Sequence, residues 1–354
     1  MTEAVLVAPD SERRPQSTAA GIARRLLGGT RQVALLPVIG VLIIIGTVIN
    51  PNFLALNNFT EIGQFSSSLG VVVVGESLVL LTGGLDLSLE STYGLAPMVA
   101  AWTILSRNLF GAGLELSPYL ALLVLLAVGA AVGLTNGLLI VKGRLNGFIV
   151  TLGMTILLYG LQDGIVSDQS LFGLPAPFTY LGSAYLFRSA GSGTGGIPVS
   201  LVVAVAIFVV VGLFLRYHRV GRAIYAVGGN REAARAAGIK VDRIRIGVYV
   251  AAAVFAAIGG LMEAGQTSQV STLQGYSEGI IFPVFAAAVI GGVSLQGGRG
   301  NMVGAATGVI LLGIVTNILN ISQVSNYWIF AVQGGVILAA LVLARLIGGR
   351  AVAE

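Results

Sequence analysis

The sequence predicts an all-α integral membrane protein of about ten transmembrane helices, with N- and C-termini both cytoplasmic. Three observations predict it. Apolar runs of roughly 20 residues, the length that crosses a bilayer as a helix, recur along the 354-residue chain. Charged residues make up 10% of the chain, against about 25% in a soluble domain, and the mean hydropathy is +0.91. The basic residues also cluster on one side of successive spans. Spans of this kind are helices, because backbone in lipid must satisfy its hydrogen bonds within its own segment.

The first 30 residues carry Glu3, Asp10 and Glu12 and have no apolar core before residue 33. That is no signal-peptide pattern and predicts a flexible cytoplasmic tail over 1–30, followed by a single transmembrane domain over 31–350. Apolar segments fall at about 33–50, 62–81, 91–106, 118–141, 148–166, 198–216, 245–264, 277–293, 302–321 and 327–347. With the N-terminus inside, the loops after even-numbered spans face the cytoplasm. The tail then holds Arg13, Arg14, Arg24, Arg25 and Arg31, and the loop after the fourth span holds Lys142 and Arg144. The loop after the sixth holds Arg216, Arg219, Arg222, Arg231, Arg235, Lys240, Arg243 and Arg245; Arg299, Arg345 and Arg350 complete the inside set. That places 18 of 20 basic residues inside and leaves Arg107 and Arg188 outside.

The chain has no cysteine, which excludes disulfides, thiolate metal sites and cysteine nucleophiles. His218, its single histidine, stands among arginines in a hydrophilic loop, where a solvated side chain is expected rather than a ligand or base. The net charge of +5 comes from residues flanking spans, so it reports orientation and not nucleic-acid binding. In the outside loop at 167–197, Gly191 to Gly196 read G-S-G-T-G-G and match a dinucleotide fingerprint. No strand precedes that run and a membrane span follows it, so a plain loop is expected. Gly129, Gly133 and Gly137 fall four apart, as do Gly300, Gly304 and Gly308. Such rows let helix backbones approach closely, either within one subunit or across a dimer.

Helical continuity breaks near 82–91 and 273–300. Thr82 to Ser91 read T-G-G-L-D-L-S-L-E-S: Gly83 and Gly84 end one helix, and Asp86 or Ser88 is suited to cap the next. A carboxylate at the membrane centre costs about 2.5–3.5 kcal/mol, so Asp86 is expected to face a cavity, a partner or the surface. The segment is either an interfacial turn or a broken helix lining a pathway. An echo with the shared pattern G-G-x-x-L starts at Gly291, where Gly291, Gly292, Gly297 and Gly298 predict a tight re-entrant turn. No G-K-[ST] follows it, so nothing supports nucleotide binding.

Other acids within spans are Glu76, Asp163, Glu263 and Glu278, with Asn136, Gln162, Gln266 and Gln269 as polar neighbours. Each is either a packing hydrogen bond or a solute contact. Together Glu76, Asp86, Asn136, Gln162, Asp163, Gln266 and Glu278 outline a moderately polar pathway for uncharged polar solutes, without the paired acids and bases of a proton pump.

The loop at 217–244 contains a short helix. Asn230 caps it, Glu232 sits in its first turn, and Gly238 closes it after barely two turns. So short a helix is marginal alone in water. Ala233, Ala234, Ala236 and Ala237 give it narrow sides that fit a groove, and Arg231 and Arg235 share a face. Docking of Asn230 to Ile239 against another protein is the expected use. A helix lying on lipid would carry a bulky apolar face, which this one lacks.

At these residues the chain resembles a known family. Glu232-Ala233-Ala234 to Gly238 looks like the E-A-A-x-x-x-G coupling motif of bacterial ABC importer permeases. T-G-G-L-D-L-S at 82–88, F-I-V-T-L-G at 148–153 and G-G-V-S-L-Q-G-G-R-G at 291–300 look like the ribose, xylose, arabinose and galactose permeases. The resemblance covers roughly residues 35–345; Glu90 departs from it, since the family more often has glycine there. It implies a permease subunit carrying a monosaccharide or related polyol inward across the bacterial inner membrane. It also implies a second permease subunit in a homo- or heterodimer, cytoplasmic ABC ATPase subunits and a periplasmic or lipid-anchored sugar-binding protein. The chain itself would be no enzyme and bind no cofactor, with ATP and Mg on the partner ATPase. A nucleoside, autoinducer or branched-chain amino acid as cargo stays open, as does a stand-alone secondary sugar carrier.

Overall fold

The computed structural model describes residues 35–187, 196–275, 279–325, 328–335 and 338. The tail over 1–30, Arg188, Glu278 and most of the G-S-G-T-G-G run lie outside the described residues. In chain order the helices are α1 (Leu35–Ile49), α2 (Leu56–Leu81), α3 (Leu89–Ile104), α4 (Pro118–Val141), α5 (Gly147–Val166) and α6 (Ala176–Ser183). They continue as α7 (Val199–Tyr217), α8 (Arg219–Gly229), α9 (Arg231–Ala236), α10 (Val241–Thr267), α11 (Ile281–Ile290) and α12 (Met302–Ile321). Two-residue strands β1 (Tyr185–Leu186) and β2 (Ile197–Pro198) pair antiparallel beside the start of α7. The protein is an all-α membrane protein, and α2, α4, α5, α7, α10 and α12 are long and apolar enough to cross a bilayer.

Local chemistry sets the starts. Ser117 and Pro118 open α4, the Ser117 hydroxyl accepting from the Leu120 amide. The Asn146 side chain accepts from the Phe148 and Ile149 amides at the head of α5, and Asn301 accepts from the Gly304 amide at the head of α12. The long connection to α2 is a 3-10 turn, Pro51–Leu54, whose Phe53 is buried against α1 and α12.

Helix α10 is the hub, packed against α2, α3, α4 and α6. Helix α2 is enclosed along its second half: every residue from Ser66 to Leu81 is buried, and apart from Glu76 the sequence there is apolar or small on all sides. Helices α4, α5 and α7 instead bury one face and present Leu134, Ile149, Ile156, Leu157, Val209 and Val210 outward, as helices bordering lipid do. The glycine rows pack inside this chain. A Cβ on Gly133 would stand 2.4 Å from the Tyr249 carbonyl oxygen, and one on Gly304 or Gly308 would strike the Gly291 or Ala287 carbonyl of the α11 segment at 1.9 or 2.0 Å.

Three expectations need correcting. The segment read as a span at 277–293 holds a helix of only 10 residues, α11. At 1.5 Å per residue that is about 15 Å, half the hydrocarbon thickness. The loop read as outer, at 167–197, carries α6, whose Gly182 sits against the Met262 carbonyl of α10. And the 217–244 loop holds two helices, the unforeseen α8 being the longer at 11 residues. Its buried Gly221, Ile224 and Val227 lie on one face, at a helical spacing that the surrounding arginines hid.

Candidate coupling site and polar pathway

Three breaks in the helical pattern end alike. At 79–84 the Gly84 amide donates to the Val79 carbonyl and the Gly83 amide to Leu80, with Gly83 at φ +69. At 234–239 the Ile239 amide donates to Ala234 and the Gly238 amide to Arg235, with Gly238 at φ +79. At 288–293 the Val293 amide donates to Ala288 and the Gly292 amide to Val289, with Gly292 at φ +89. Each is a helix stop that needs a left-handed residue, which glycine supplies without a Cβ clash. The sequence echo between 83–87 and 291–295 is therefore structural but offset by one residue: Gly83 corresponds to Gly292.

These stops meet at one end of the bundle. The Gly298 amide donates to the Leu81 carbonyl at 2.9 Å, and a Cβ on Gly297 would lie 2.8 Å from the Gly83 nitrogen. The Tyr225 hydroxyl of α8 donates to the Gly300 carbonyl at 2.9 Å. Half-burial raises that phenol's pKa above its ordinary value, so it remains a donor at neutral pH.

Helix α9 sits on this junction. Asn230 caps it by accepting from the Glu232 and Ala233 amides at 2.9 and 3.0 Å, as predicted from sequence. Its buried Ala234 packs with Val227 and Val241, and Ile239 and Ile244 close the cluster. The two arginines turn back onto the membrane domain. Arg231 donates to the Gly83 and Thr82 carbonyls at 3.0 and 3.3 Å, and Arg235 pairs with Asp242 at 3.0 Å. Lys142, from the α4–α5 connection, holds the same carboxylate at 3.1 Å. That leaves Glu232, Ala233, Ala236 and Ala237 as the exposed face.

Of the seven predicted pathway residues, three come together. Asp86 Oδ1 accepts from the Ser88 hydroxyl at 2.6 Å and the Ser88 amide at 3.0 Å; the Asn136 amide donates to Ser88 Oγ at 2.7 Å and approaches Asp86 Oδ1 at 3.5 Å. Glu76 Oε1 faces the Asp86 amide at 3.5 Å. All four residues are buried, and Glu76 Oε2, Asp86 Oδ2 and Asn136 Oδ1 have no partner among the described residues. The expected cap does not form. Ser88 occupies the position before α3, yet its hydroxyl goes to Asp86 instead of a helix amide. Tyr249, missed at the sequence level, places its hydroxyl 2.9 Å from where a Gly84 Cβ would be.

The other polar residues lie elsewhere. Gln162 is a loop anchor: its amide donates to the Thr272 carbonyl at 2.8 Å and the Ser271 carbonyl at 3.1 Å. Gln274 ties the same loop to the Gly260 carbonyl at 2.8 Å. Asp163 follows on α5, and its Oδ1 has no partner among the described residues. Gln266 donates to the Gln64 carbonyl at 2.8 Å, and the Tyr93 hydroxyl donates to Glu263. Tyr93, Glu263, Gln266, Thr316, Asn320 and Gln333 share a cleft of about 340 Å³ with apolar walls from α2, α11 and α12. Among the described residues, no group of three or more His, Asp or Glu is placed to hold a metal ion.

A polytopic helical protein with a polar interior, broken helices and a protruding short helix locked onto them is a membrane transport protein. Residues 58–341 match the family described as "Branched-chain amino acid transport system / permease component". The ribose import permease protein RbsC of Escherichia coli (strain K12) is 36% identical over 304 residues, covering 86% of this chain and 90% of that protein. RbsC of Bacillus subtilis (strain 168) is 35% identical over 306 residues, covering 86% and 90%. The galactose/methyl galactoside import permease protein MglC of Haemophilus influenzae is 30% identical over 316 residues, covering 86% and 92%. No solved structure matches the chain. This chain belongs to that permease family of bacterial ABC importers, and it is a multi-pass protein of the bacterial inner membrane.

Proposed function

We propose that this chain is the pore subunit of an ATP-binding cassette importer that moves a monosaccharide or related polyol into the cytoplasm. The named solutes of the relatives, ribose and galactose, support the cargo class. A cleft lined by a phenol, amides, hydroxyls and one carboxylate, Glu263, suits a hydroxylated solute that hydrogen-bonds to them. One observation carries the coupling: the Arg231 guanidinium holds the carbonyls of Thr82 and Gly83. Any movement imposed on α9 is thereby delivered to the end of α2 and the Asp86–Ser88–Asn136 cluster.

In this reading residues 31–350 form one permease domain of about ten spans with both termini in the cytoplasm and re-entrant segments near 82–91 and 273–300. The 217–244 segment is the coupling loop. Asn230 to Ile239 dock in an ABC ATPase, a second permease subunit completes the pore, and an external sugar-binding protein delivers the solute. ATP and magnesium bind the ATPase; this chain performs no chemistry. The family's description favours a second reading, a branched-chain amino acid as cargo. Proteoliposomes containing this chain, its ATPase and the external receptor decide between them. Labelled pentose or hexose should accumulate with internal ATP and not without it. Accumulation of leucine alone would replace the cargo, and ATP-independent sugar uptake would overturn the coupling.

A further inference from the structure

The end of the bundle that carries α9 also holds a cavity of about 700 Å³, walled by the 83–85 turn, the α4–α5 connection, α9 and the start of α10. Four guanidinium groups line it, Arg144, Arg231, Arg235 and Arg245, against one carboxylate, Asp242. That carboxylate is already shared by Lys142 and Arg235, and Arg231 is directed to carbonyl oxygens. Arg245 Nε is buried with no acceptor among the described residues. Arg144 makes no ion pair among them either. Positive charge in this cavity is therefore uncompensated among the described residues, and a buried guanidinium N–H without an acceptor is costly. The head of α5 adds to it, because Gly147 and Phe148 line the same space and a helix N-terminus is a site of partial positive charge.

The chemistry that fits is a phosphate group, whose oxygens match the planar fork of arginine. The surroundings indicate its source. Leu145 and Phe148 form an apolar lip, each about half exposed, and it continues along the outer face of α5 through Ile149, Leu152 and Ile156. We propose that this cavity binds the phosphate of an anionic phospholipid, with the acyl chains lying along that face of α5. A bound lipid of this kind would brace the α4–α5 connection against α9 and α10, on the path between the docking helix and Asp86. The site does not depend on which solute is carried.

The test is lipid retention by the protein purified in neutral detergent and measured by native mass spectrometry. Wild type should keep phosphatidylglycerol in preference to phosphatidylcholine. Replacing two arginines, Arg144→Gln with Arg245→Gln, should lower that retention about 30-fold, since each basic contact at an anionic surface is worth roughly a factor of five. Arg144→Lys with Arg245→Lys should restore part of it. If the double variant does not elute as a single species, Arg144→Gln alone, on an exposed connection, carries the test. Inorganic phosphate supplies the second arm. If it raises the melting temperature of wild type but not of the variant, while the two lipids bind alike, the anion comes from solution. The site then stands and its lipid source falls. If neither anion distinguishes variant from wild type, or if the arginine changes weaken only the grip on the ATPase, the proposal is overturned.

Discussion

Where Gly228 passes the end of α2, a Cβ would stand 1.8 Å from the Leu81 carbonyl oxygen and 2.5 Å from the Gly298 nitrogen. Both are backbone atoms, so no side chain swings aside to make room. Gly229, next in sequence, has nothing within 4 Å of the same position. Gly228→Ala should therefore lift α8 off the junction at a cost of about 1–3 kcal/mol. The readouts are a lower melting temperature in detergent and loss of most ATP-coupled uptake, while Gly229→Ala should leave both unchanged. Identical behaviour of the two variants would mean that α8 does not rest on α2 this way. At Gly238 the corresponding space is open, so a bulky residue there meets nothing of this chain beyond the strain of a left-handed φ. Coupling lost by such a change would report contact with a partner. Asn230 and Gly238 were legible in the sequence because capping is local chemistry. Gly228 was not, because the atoms that crowd it belong to segments far away in the chain.

Helices meet in lipid through small residues, and the α4–α10 contact is the clearest case. Gly129, Gly133 and Gly137 set α4 against backbone atoms of α10 near Ala253, Tyr249 and Ile246. Gly133→Leu should force the two helices apart at about 3 kcal/mol, the upper end of ordinary overpacking costs. Fluorescence-detected size exclusion after heating should show it as early aggregation. Gly153→Leu on α5, where nothing lies within 4 Å, should melt with wild type. Long apolar helices were readable because hydropathy reports them directly. Helix α8 was not, because a short polar segment with one buried stripe looks like a loop among arginines. Nor was the division of the polar residues: Gln162 bonds backbone carbonyls at 271–272, and sequence carries no mark of a partner that is backbone. The Asp86 region was half legible. Its acid, serine and glycines stood out, whereas the Glu76 and Asn136 contacts required α2 and α4 to be placed first.

For the molecule as a whole, the arrangement in the membrane decides which end the motor reaches. Loops and termini assigned inside hold 18 of the 20 basic residues, and α8, α9 and the arginine-lined cavity lie together at that same end. Translocation favours keeping such charge on the cytoplasmic side, so a docking helix at the other end would need most of the basic loops to cross the bilayer. The absence of native cysteine makes this directly measurable. Ala237 is exposed next to α9, and Leu114 is exposed in the connection between α3 and α4, at the predicted outer face. In intact cells a membrane-impermeant maleimide should modify Leu114→Cys and spare Ala237→Cys, and permeabilising the inner membrane should expose the second. The reverse pattern would put α9 outside, beyond any ATPase. The bond from Arg231 to Thr82 and Gly83 would then be a packing contact with no motor behind it.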